Sequence, residues 1–440
     1  LAGEEHAYEA AFQCAGVLRA DTSQELFDWA RALAWCPPPS GRRVAILTNA
    51  GGPGVTAADA IELNGLHLAQ LSTATTQALA ALLPPAANLK NPVDMLASAS
   101  PEQYASSLHL LLDDPGVDSV MVILPAPPMH PVEGVALALI PIIQSAAKPV
   151  VIALMGERLI QSAARLFRAA QVADYRFPEQ AASALGALAA WAKRRDLAPA
   201  QRPKGLDRRE AERILADCAR SSSGFLPSEA TAGLMSAYGI PVPQASLAKT
   251  APEAIQAARR CGYPVALKIV SPEIAHKSDV GGIALNLHTP EEVQAGFAQV
   301  IENARTARPE ARLEGALVQR MIPAGQEVII GAIQNPQFGS LVMFGSGGVE
   351  VEGLKDICFR LAPLPVEEAE QMLESTWAGR KLAGFRNLPP ADRAAVLDCL
   401  VRLAWLATDF PQLTEIEINP LRVLADGQGA AAVDIRVRAG

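Results

Sequence analysis

Three mostly apolar runs constrain the first half of this chain more than any other feature of its sequence. They read VAILTN (44–49), SVMVILP (119–125) and PVVIALMG (149–156). A strand that is apolar on both faces needs cover on both, which is typical of a parallel sheet between two helical layers. Each run leads into a helical pattern, as βαβ units require. The sequence therefore predicts an α/β fold with a doubly wound, flavodoxin-like parallel sheet at residues 39–195.

The second half of the chain has a different pattern. After two helical stretches, shorter strand patterns follow one another closely, and these read YPVALKIV, GIALNL, GALVQRMI, EVIIGAIQ and SLVMF. A helical stretch at 391–408 precedes two final strand patterns, TEIEIN and AAVDIRV. Closely spaced strands are typical of antiparallel or mixed sheets. We therefore predict an α+β domain at residues 221–440.

Breaks in the pattern mark both ends of the predicted α/β domain. Helix-like spacing of apolar residues runs to about residue 35, where CPPPSGRR stops it. Because the chain begins with Leu-Ala-Gly rather than Met, we expect residues 1–38 to be the end of a preceding domain and the chain to be a fragment. On the other side, a charged and proline-interrupted segment predicts a linker at 196–220.

Composition excludes several classes of function. The 440 residues have a net charge of −8 and no run rich in lysine and arginine, so the sequence gives no sign of nucleic-acid binding. The 6 cysteines are scattered without metal-ligand spacing, which is typical of reduced thiols in a cytoplasmic protein. We find no apolar run long enough to span a membrane and no signal peptide. We therefore expect a cytoplasmic protein that binds neither nucleic acid nor membrane.

The last two strand patterns bring oxygen ligands together. Side chains alternate along a strand, so Glu417 and Asn419 share one face of LTEIEINP. Asp434, on the following strand, can face the same place. Two carboxylates and an amide oxygen form a cradle suited to Mg²⁺. The alternative is a half-buried strand whose polar face is solvated.

Three further positions fit a nucleotide. Lys268 closes the strand VALKI, where an ammonium can meet phosphate oxygens as a point charge. The segment LVQRM (317–321) offers a backbone edge to a flat ring, and Glu327 lies between apolar residues in GQEVIIG. Each is unspecific by itself. A lysine that extends its ammonium to solvent is the alternative for Lys268.

Two glycine-rich turns can receive anions. In FGSGG, Gly347 and Gly348 follow a strand directly, and such a turn exposes backbone N–H groups. Gly51, Gly52 and Gly54 follow VAILTN and open a helix, whose N-terminus combines free N–H groups with the positive end of the helix dipole. A turn with a purely structural role is the alternative for both.

One histidine lies in a polar loop between two strands. His276 falls between Ser271 and Gly281, after the strand that contains Lys268. If the flanking strands are fixed, a mid-loop residue can travel on the order of 15 Å, at about 3.3 Å per extended residue. Imidazole can both accept and donate a phosphoryl group near neutral pH. The alternative is a static surface histidine.

As a set, these features resemble the NDP-forming acyl-CoA synthetases, typified by ADP-forming acetate–CoA ligase, within the succinyl-CoA synthetase superfamily. The resemblance extends over essentially the whole chain. Its most specific segments are AGEEHAYEAAFQCAGVLRADTSQELFDWARAL, ILTNAGGPGVTAADAIE, NPVDM, VALKIVSPEIAHKSDVGGIALNL, FGSGGVEVEGLKDICFRLAPL and TEIEINPLRV. It implies that the α+β domain is an ATP-grasp domain and that the α/β domain is the ligase domain of that family.

The resemblance also implies roles for individual residues. Lys268 would contact the nucleotide phosphates, Gln319 and Met321 would lie along the adenine, and Glu327 would reach the ribose. His276 would be the mobile histidine that relays phosphate between the acyl-phosphate site and ADP. The implied Mg²⁺ ligands are Glu417, Asn419 and Asp434. The glycines implied to open the helix that steadies a phosphohistidine are Gly51, Gly52 and Gly54.

The implied reaction joins a carboxylic acid to CoA with ATP and releases ADP and phosphate. The family's primary phosphorylated histidine lies in an HTGSLAG-like stretch, and this chain begins at LAG. We therefore expect that histidine and the main CoA-binding domain to be missing, so that the chain alone does not complete the reaction. A homo-oligomer, or a complex with the missing domains, is expected.

Two other functions remain open from the sequence. One is the ligase-like regulatory region of a protein lysine acetyltransferase, which senses a ligand and carries out no ligase reaction. The intact AHKSDVGG loop favours the ligase, because a sensor needs no mobile phosphoryl carrier. The other is a different ATP-grasp enzyme, such as a carboxylate–amine ligase. The glycine-rich domain ahead of the nucleotide domain argues against it.

Overall fold

The computed structural model describes residues 4–126, 129–156, 158–195, 198–218, 224–274, 276–347 and 356–440. The chain divides into two compact units. The smaller unit is Gly16–Leu197, and the larger unit joins Leu1–Ala15 to Ala198–Gly440. The larger unit therefore includes the first helix, α1 (Glu4–Cys14).

The smaller unit is built on a parallel sheet. Its strands are β1 (Arg43–Thr48), β2 (His67–Leu68), β3 (Val93–Asp94), β4 (Ser119–Pro125), β5 (Val150–Met155) and β6 (Asp174–Tyr175). Its helices are α2 (Ser23–Trp35), α3 (Gly51–Leu63), α4 (Thr73–Leu82), α5 (Pro101–Asp113), α6 (Val132–Ser145), α7 (Gln161–Ala169) and α8 (Pro178–Arg195). The strand order is β2-β1-β4-β5-β6, with β3 also paired to β1, and these pairings are parallel. The predicted α/β fold with a parallel sheet is confirmed.

Both faces of this sheet are buried, as the apolar runs predict. In β4, Val120, Val122 and Leu124 point into one core, whereas Met121 and Ile123 point into the other. All five side chains are inaccessible to solvent. A central strand with this environment cannot alternate apolar and polar residues, which explains why its sequence reads as one apolar run.

One asparagine side chain completes the edge of the parallel sheet. Strand β2 pairs with the start of β1 and β3 with its end, so neither reaches the middle of β1. There the Ile46 N–H donates to Asn91 Oδ1 at 2.9 Å. Asn91 Nδ2 donates to the carbonyls of Val44 at 2.8 Å and Ala69 at 3.0 Å. The amide of Asn91 thus replaces a missing piece of backbone.

The larger unit contains two antiparallel sheets. Its strands are β7 (Ala245–Ala248), β8 (Val265–Val270), β9 (Ile283–Leu287), β10 (Gly315–Arg320), β11 (Gln326–Asn335), β12 (Gly339–Ser346), β13 (Ile357–Leu361), β14 (Leu413–Val423), β15 (Ala430–Ala432) and β16 (Ile435–Ala439). The small sheet has the order β7-β10-β8-β9. The large sheet has the order β13-β12-β11-β14-β15, with β16 also paired to β14. The predicted α+β character of this half is confirmed.

Helices cover both sheets of the larger unit. Beyond α1 they are α9 (Arg208–Asp217), α10 (Ser228–Ala237), α11 (Ala251–Cys261), α12 (Pro290–Ala307), α13 (Val366–Ser375), α14 (Trp377–Leu382) and α15 (Arg393–Asp409). Leu400 and Leu403 of α15 share the main core with Ile330 and Ile418 of the large sheet. Over the ranges that the structure describes, no helix combines the length and the apolar character needed to cross a bilayer.

The single strand predicted for AAVDIRV is wrong, because the segment forms two short strands. Strand β15 pairs with the end of β14 and β16 with its beginning. Between them, Val433 and Asp434 lie opposite Asn419 and Pro420, where the Asn419 N–H donates to the Asp434 carbonyl at 3.0 Å. Pro420 has no N–H to donate to a ladder, so regular pairing is interrupted at this point. The interruption frees the Val433 carbonyl for another partner.

The segment predicted as one unit at 1–38 is divided between the two units. Helix α1 belongs to the larger unit, whereas α2 belongs to the smaller one. Gly16, which follows α1, has a positive φ of 68°. The Thr22 side chain then caps α2 by accepting from the Glu25 N–H at 3.1 Å. A left-handed residue and a new N-cap together break the continuous helical spacing that the apolar residues implied.

Helix α1 packs on the outer part of the large sheet. Ala7 and Ala10 are 1% exposed and share a small apolar cluster with β11, β12 and β13. The His6 ring stacks on Phe359, with ring centres 5.2 Å apart. Tyr8 meets Phe338 edge-on at 5.1 Å. These contacts explain why the first helix groups with residues far away in sequence.

The segment predicted as a linker at 196–220 contains helix α9. The Asp207 side chain caps this helix by accepting from the Glu210 N–H at 3.0 Å, and Ala211 is fully buried. Ahead of it, Trp405 Nε1 donates to the Gln201 carbonyl at 3.2 Å. The charge that predicted a linker therefore belongs to an amphipathic helix whose polar face meets solvent.

We expect Asn91→Ala to lower the free energy of opening of β1 by about 2–4 kcal/mol, because the Ile46 N–H and the Ala69 carbonyl lose their partner and the Val44 carbonyl keeps only the Ala69 N–H. Hydrogen exchange of the segment Arg43–Thr48 in rising urea measures this quantity. The control is Asn88→Ala, whose exposed side chain donates to the Pro92 carbonyl at 2.7 Å. Water can replace that bond, so we expect a loss below about 1 kcal/mol. Equal protection of β1 in both variants would contradict the role of Asn91.

Candidate functional site

Two side chains of the small sheet converge on one backbone carbonyl. Lys268 Nζ donates to the Val433 carbonyl oxygen at 2.8 Å, and Gln319 Nε2 donates to the same oxygen at 3.3 Å. Lys268 lies opposite Leu317 in the β8–β10 register, so Lys268 and Gln319 share a face of the small sheet. They are 6% and 7% exposed. The freed carbonyl at the interruption therefore joins the two sheets of the larger unit.

The buried ammonium of Lys268 is held in an unfavourable environment. Burial lowers the pKa of Lys268 from 10.5 to about 8. The negative charge of Asp434 opposes this shift, whereas the positive charges of Lys277 and Arg422 add to it. A lysine in such a place is ready to exchange a single carbonyl for a more strongly charged partner. The alternative of a solvent-exposed lysine is therefore wrong.

Asp434, the residue after Val433, contacts the loop that contains His276. The Asp434 carboxylate accepts from Lys277 Nζ, at 3.1 Å to one oxygen and 3.3 Å to the other. Lys277 directly follows His276, whose side chain is exposed. The predicted catalytic histidine is thus adjacent in sequence to a cation that contacts a predicted metal ligand.

The loop is held on both sides of His276. Before it, Ile274 is 6% exposed in a small apolar cluster. After it, the Gly282 N–H donates to the Lys277 carbonyl at 2.9 Å, and Asn303 Nδ2 donates to the Gly281 carbonyl at 2.9 Å. His276 is therefore an exposed residue between two anchored segments of the loop.

Two of the predicted metal ligands, Glu417 and Asn419, lie on one face of β14, and the third, Asp434, lies in the interruption between β15 and β16. Glu417 and Asn419 are two residues apart on β14, and Asp434 is joined to Asn419 by a backbone hydrogen bond. In the described part of the chain, no three His, Cys, Asp or Glu side chains are grouped closely enough to hold a metal, so a site here also depends on the amide oxygen. The Lys277 ammonium at Asp434 shows that this position stabilises a cation. The donor set is that of a hard divalent ion such as Mg²⁺.

Glu327 and Gly347 line the same cavity of the larger unit, which has a volume of about 570 Å³. The Glu327 carboxylate forms an ion pair with Arg422, its partner in the β11–β14 register. The Gly347 N–H donates to the Glu327 carbonyl at 3.4 Å, and a Cβ on Gly347 would lie 2.6 Å from the backbone of Val328. Glycine is therefore required there for close packing. Gly348 lies outside the described residues.

The segment predicted to lie along the adenine is fixed to the small sheet by its backbone. The Met321 N–H donates to the Pro264 carbonyl at 3.0 Å, and the Arg320 N–H donates to the Gln244 carbonyl at 3.0 Å. Gln319, one of the two predicted adenine contacts, lies beside Lys268, because both side chains donate to the Val433 carbonyl. Met321 follows the end of β10 and is half-buried.

The predicted glycines of the smaller unit open helix α3. Ala50 precedes the helix and offers no capping side chain, so the first N–H groups have no side-chain acceptor. Gly51 and Gly52 are exposed, whereas Gly54 is buried. A Cβ on Gly51 would lie 3.3 Å from a carboxylate oxygen of Asp94. The terminus thus has the free N–H groups of an anion site, with one carboxylate beside it.

Sequence reasoning missed three participants. Lys277 and Arg422 lie inside the motifs that pointed to the site, but only the structure shows that they are ion partners of Asp434 and Glu327. The Val433 carbonyl belongs to the backbone and has no signature in the sequence. A cation directly after the loop histidine was the one signal that could have found Lys277.

We expect the stability of the protein to rise with pH through Lys268. Its pKa is about 8 in the folded protein against an ordinary 10.5, so the unfolded chain binds more protons between these values and folding gains stability as pH rises. Relative to Lys268→Met, the wild type should gain about 2 kcal/mol between about pH 7 and about pH 9.5. Urea unfolding at both pH values measures the difference. A difference that is independent of pH would show that Lys268 titrates normally.

The chain is similar to known proteins in both units. Residues 217–439 match the model of the ATP-grasp domain, and residues 44–199 match that of the Ligase-CoA domain. The ADP-forming acetate–CoA ligase I of Archaeoglobus fulgidus is 37% identical over 445 aligned residues, which cover 100% of this chain and 63% of that protein. This chain thus spans less than two thirds of the length of that relative.

Two further similarities concern the larger unit. The β subunit of ADP-forming acetate–CoA ligase I from Pyrococcus furiosus is 41% identical over 232 residues, covering 53% of this chain and 99% of that subunit. The crystal structure of PH1788 from Pyrococcus horikoshii has 39% identity and a TM-score of 0.50, covering 53% of this chain and 99% of that one. With its Ligase-CoA domain followed by an ATP-grasp domain, the chain belongs to the family of ADP-forming acyl-CoA synthetases.

Proposed function

We propose that this chain forms the nucleotide-binding part of an ADP-forming acid–CoA ligase that works through a phosphohistidine relay. The complete enzyme would convert a carboxylic acid, CoA and ATP to acyl-CoA, ADP and phosphate in the cytoplasm. One observation supports this most strongly. The His276 loop is attached, through Lys277, to Asp434 beside the buried Lys268. The proposed phosphoryl carrier is therefore the sequence neighbour of the lysine bound to Asp434, and the proposed phosphate-binding lysine is bound to the carbonyl of the preceding residue, Val433.

Lys268 and Gln319 would bind the nucleotide by exchanging acceptors. Their donors now share the Val433 carbonyl, and phosphate oxygens would be stronger acceptors for the ammonium than a neutral carbonyl. Met321 would lie along the adenine. Glu327 would reach the ribose, and its carboxylate would then be shared between the ribose and Arg422. Gly347 lines the same cavity as Glu327.

Asp434, Asn419 and Glu417 would hold Mg²⁺. When bound there, the ion would neutralise charge on the phosphate oxygens of the nucleotide. Before that, Lys277 must leave the Asp434 carboxylate, because an ammonium and a divalent ion compete for the same oxygens. Departure of Lys277 would also release the ion pair that ties the His276 loop to Asp434.

His276 would carry the phosphoryl group. An imidazole nitrogen attacks the terminal phosphorus of ATP, a nitrogen–phosphorus bond forms, and the bond to the ADP oxygen breaks. The helix opened by Gly51, Gly52 and Gly54 would hold the phosphoryl group of a phosphohistidine at the acyl-phosphate site. The acid and CoA would be bound mainly by other parts of the complete ligase. A complex with those parts, or a homo-oligomer, is therefore expected.

We expect His276→Asn in the complete ligase to lower CoA-thioester formation at least about 100-fold, since a covalent carrier is removed, and to leave ADP binding unchanged. A panel of short carboxylic acids with ATP-Mg measures the first quantity, and calorimetry with ADP measures the second. The control is His288→Asn, which changes another exposed histidine of the same unit. Normal thioester formation by His276→Asn would remove this residue from the mechanism. ADP binding without thioester formation by the wild type would favour the regulatory alternative.

We expect Lys277→Met to lower the Mg²⁺ concentration needed for half-maximal ADP binding by about 3- to 10-fold, because no ammonium has to be displaced from Asp434. ADP binding at a series of Mg²⁺ concentrations measures this shift. Lys249→Met removes an equal charge from an exposed position in the same unit and should leave the Mg²⁺ dependence unchanged. A weaker or unaltered response in Lys277→Met would show that the ion pair does not compete with the metal.

A further inference from the structure

An arginine-rich cavity lies in the smaller unit, away from the glycine-opened helix. It occupies about 530 Å³ and is lined by residues of α2, α7 and α8, together with the carboxyl ends of β5 and β6. The carboxyl ends of parallel strands are where open α/β sheets bind ligands. In the sheet, β4 lies between β5 and β1, and α3 follows β1 in the chain. The cavity is therefore a different place from the Gly51 terminus.

Two of the four arginines that line the cavity are fixed by a buried carboxylate. Arg168 donates to Asp174 from Nε and Nη2, each at 3.0 Å. Arg31 lies 3.7 Å from the same carboxylate. Asp174 is 3% exposed. The Asp174 carboxylate thus fixes Arg168 and Arg31 in one wall of the cavity, and these two arginines neutralise its charge.

The other two arginines have no carboxylate partner among the residues that the structure describes. Arg165 and Arg176 line the cavity and form no ion pair with any residue in the described ranges. Asp28, the second acidic residue of the lining, accepts from the side-chain amides of Gln24 at 2.8 Å and Gln180 at 3.0 Å. Among the described residues of the lining, four arginines stand against two aspartates, an excess of two positive charges.

The backbone adds donors of the same kind. Helix α7 begins at Gln161, and the residue before it, Ile160, offers no capping side chain. Both residues line the cavity. The first N–H groups of the helix and the positive end of its dipole thus belong to the same cavity as Arg165 and Arg176. Guanidinium forks and an uncapped helix N-terminus are the two donor types that suit a phosphate group best.

We propose that this cavity binds the phosphate group of a small molecule. Its volume is that of an ordinary ligand pocket, and its unmatched charges are positive. The proposed nucleotide residues lie in the larger unit, so they do not account for these arginines. The shared chemistry is a phosphate or pyrophosphate group, which inorganic phosphate, pyrophosphate or a larger phosphorylated compound such as CoA can supply.

Calorimetric titration of the protein with pyrophosphate tests the proposal. Arg165→Gln/Arg176→Gln should weaken pyrophosphate binding at least tenfold, and both side chains are exposed, so the fold should persist. The control Arg42→Gln/Lys193→Gln removes the same charge from exposed positions outside the lining and should leave binding within about twofold of the wild type. Parallel titrations with phosphate, CoA and acetate identify the source of the phosphate group.

Unchanged pyrophosphate binding in the double arginine variant would overturn the proposal, as would an equal loss in the control pair. Binding of acetate as tight as that of pyrophosphate would overturn the preference for phosphate. His276→Asn should bind pyrophosphate as the wild type does. This measurement tests the cavity independently of the phosphohistidine relay. If His276→Asn does not impair the ligase, the relay is wrong, but the proposal for the cavity still stands.

Discussion

The shared hydrogen bond to the Val433 carbonyl is the interaction on which the larger unit's site depends. Pro420 interrupts the pairing of β14, and the interruption releases this carbonyl from the sheet ladder. Lys268 and Gln319 then use it as their common acceptor. A buried ammonium without an acceptor would be costly, so the interruption is what allows Lys268 to occupy this place without a ligand. Asp434 is set beside Lys268 by the same local geometry.

The architecture was largely predictable because burial dictates composition. A strand covered on both faces must be apolar throughout, and VAILTN and SVMVILP read accordingly. The interruption at Val433–Asp434 was not predictable from AAVDIRV, because both sides of it have strand composition. Helix α9 was hidden for the opposite reason. Its exposed face is so highly charged that the segment read as a linker.

The candidate site was predictable to the level of residue type. The motifs selected Lys268, Gln319, Asn419 and Asp434, and the structure brings these four residues around Val433. They could not show which partners the side chains have, because partners depend on strand register. Glu327 meets Arg422 only because the β11–β14 register sets them opposite each other. The position of Asp94 beside Gly51 in the smaller unit was equally hidden from the sequence, because it depends on the pairing of β3 with β1.

Helix α1 has a consequence for how such a chain can be divided. The polypeptide passes between its units twice, near residues 15 and 197, so one cut in the connecting chain leaves them covalently joined. If the two units were encoded as separate polypeptides at the second crossing, α1 would travel with the smaller unit. The stacking of His6 on Phe359 and the burial of Ala7 would then become contacts between subunits. A segment that is intramolecular packing in one gene arrangement would be a docking peptide in the other.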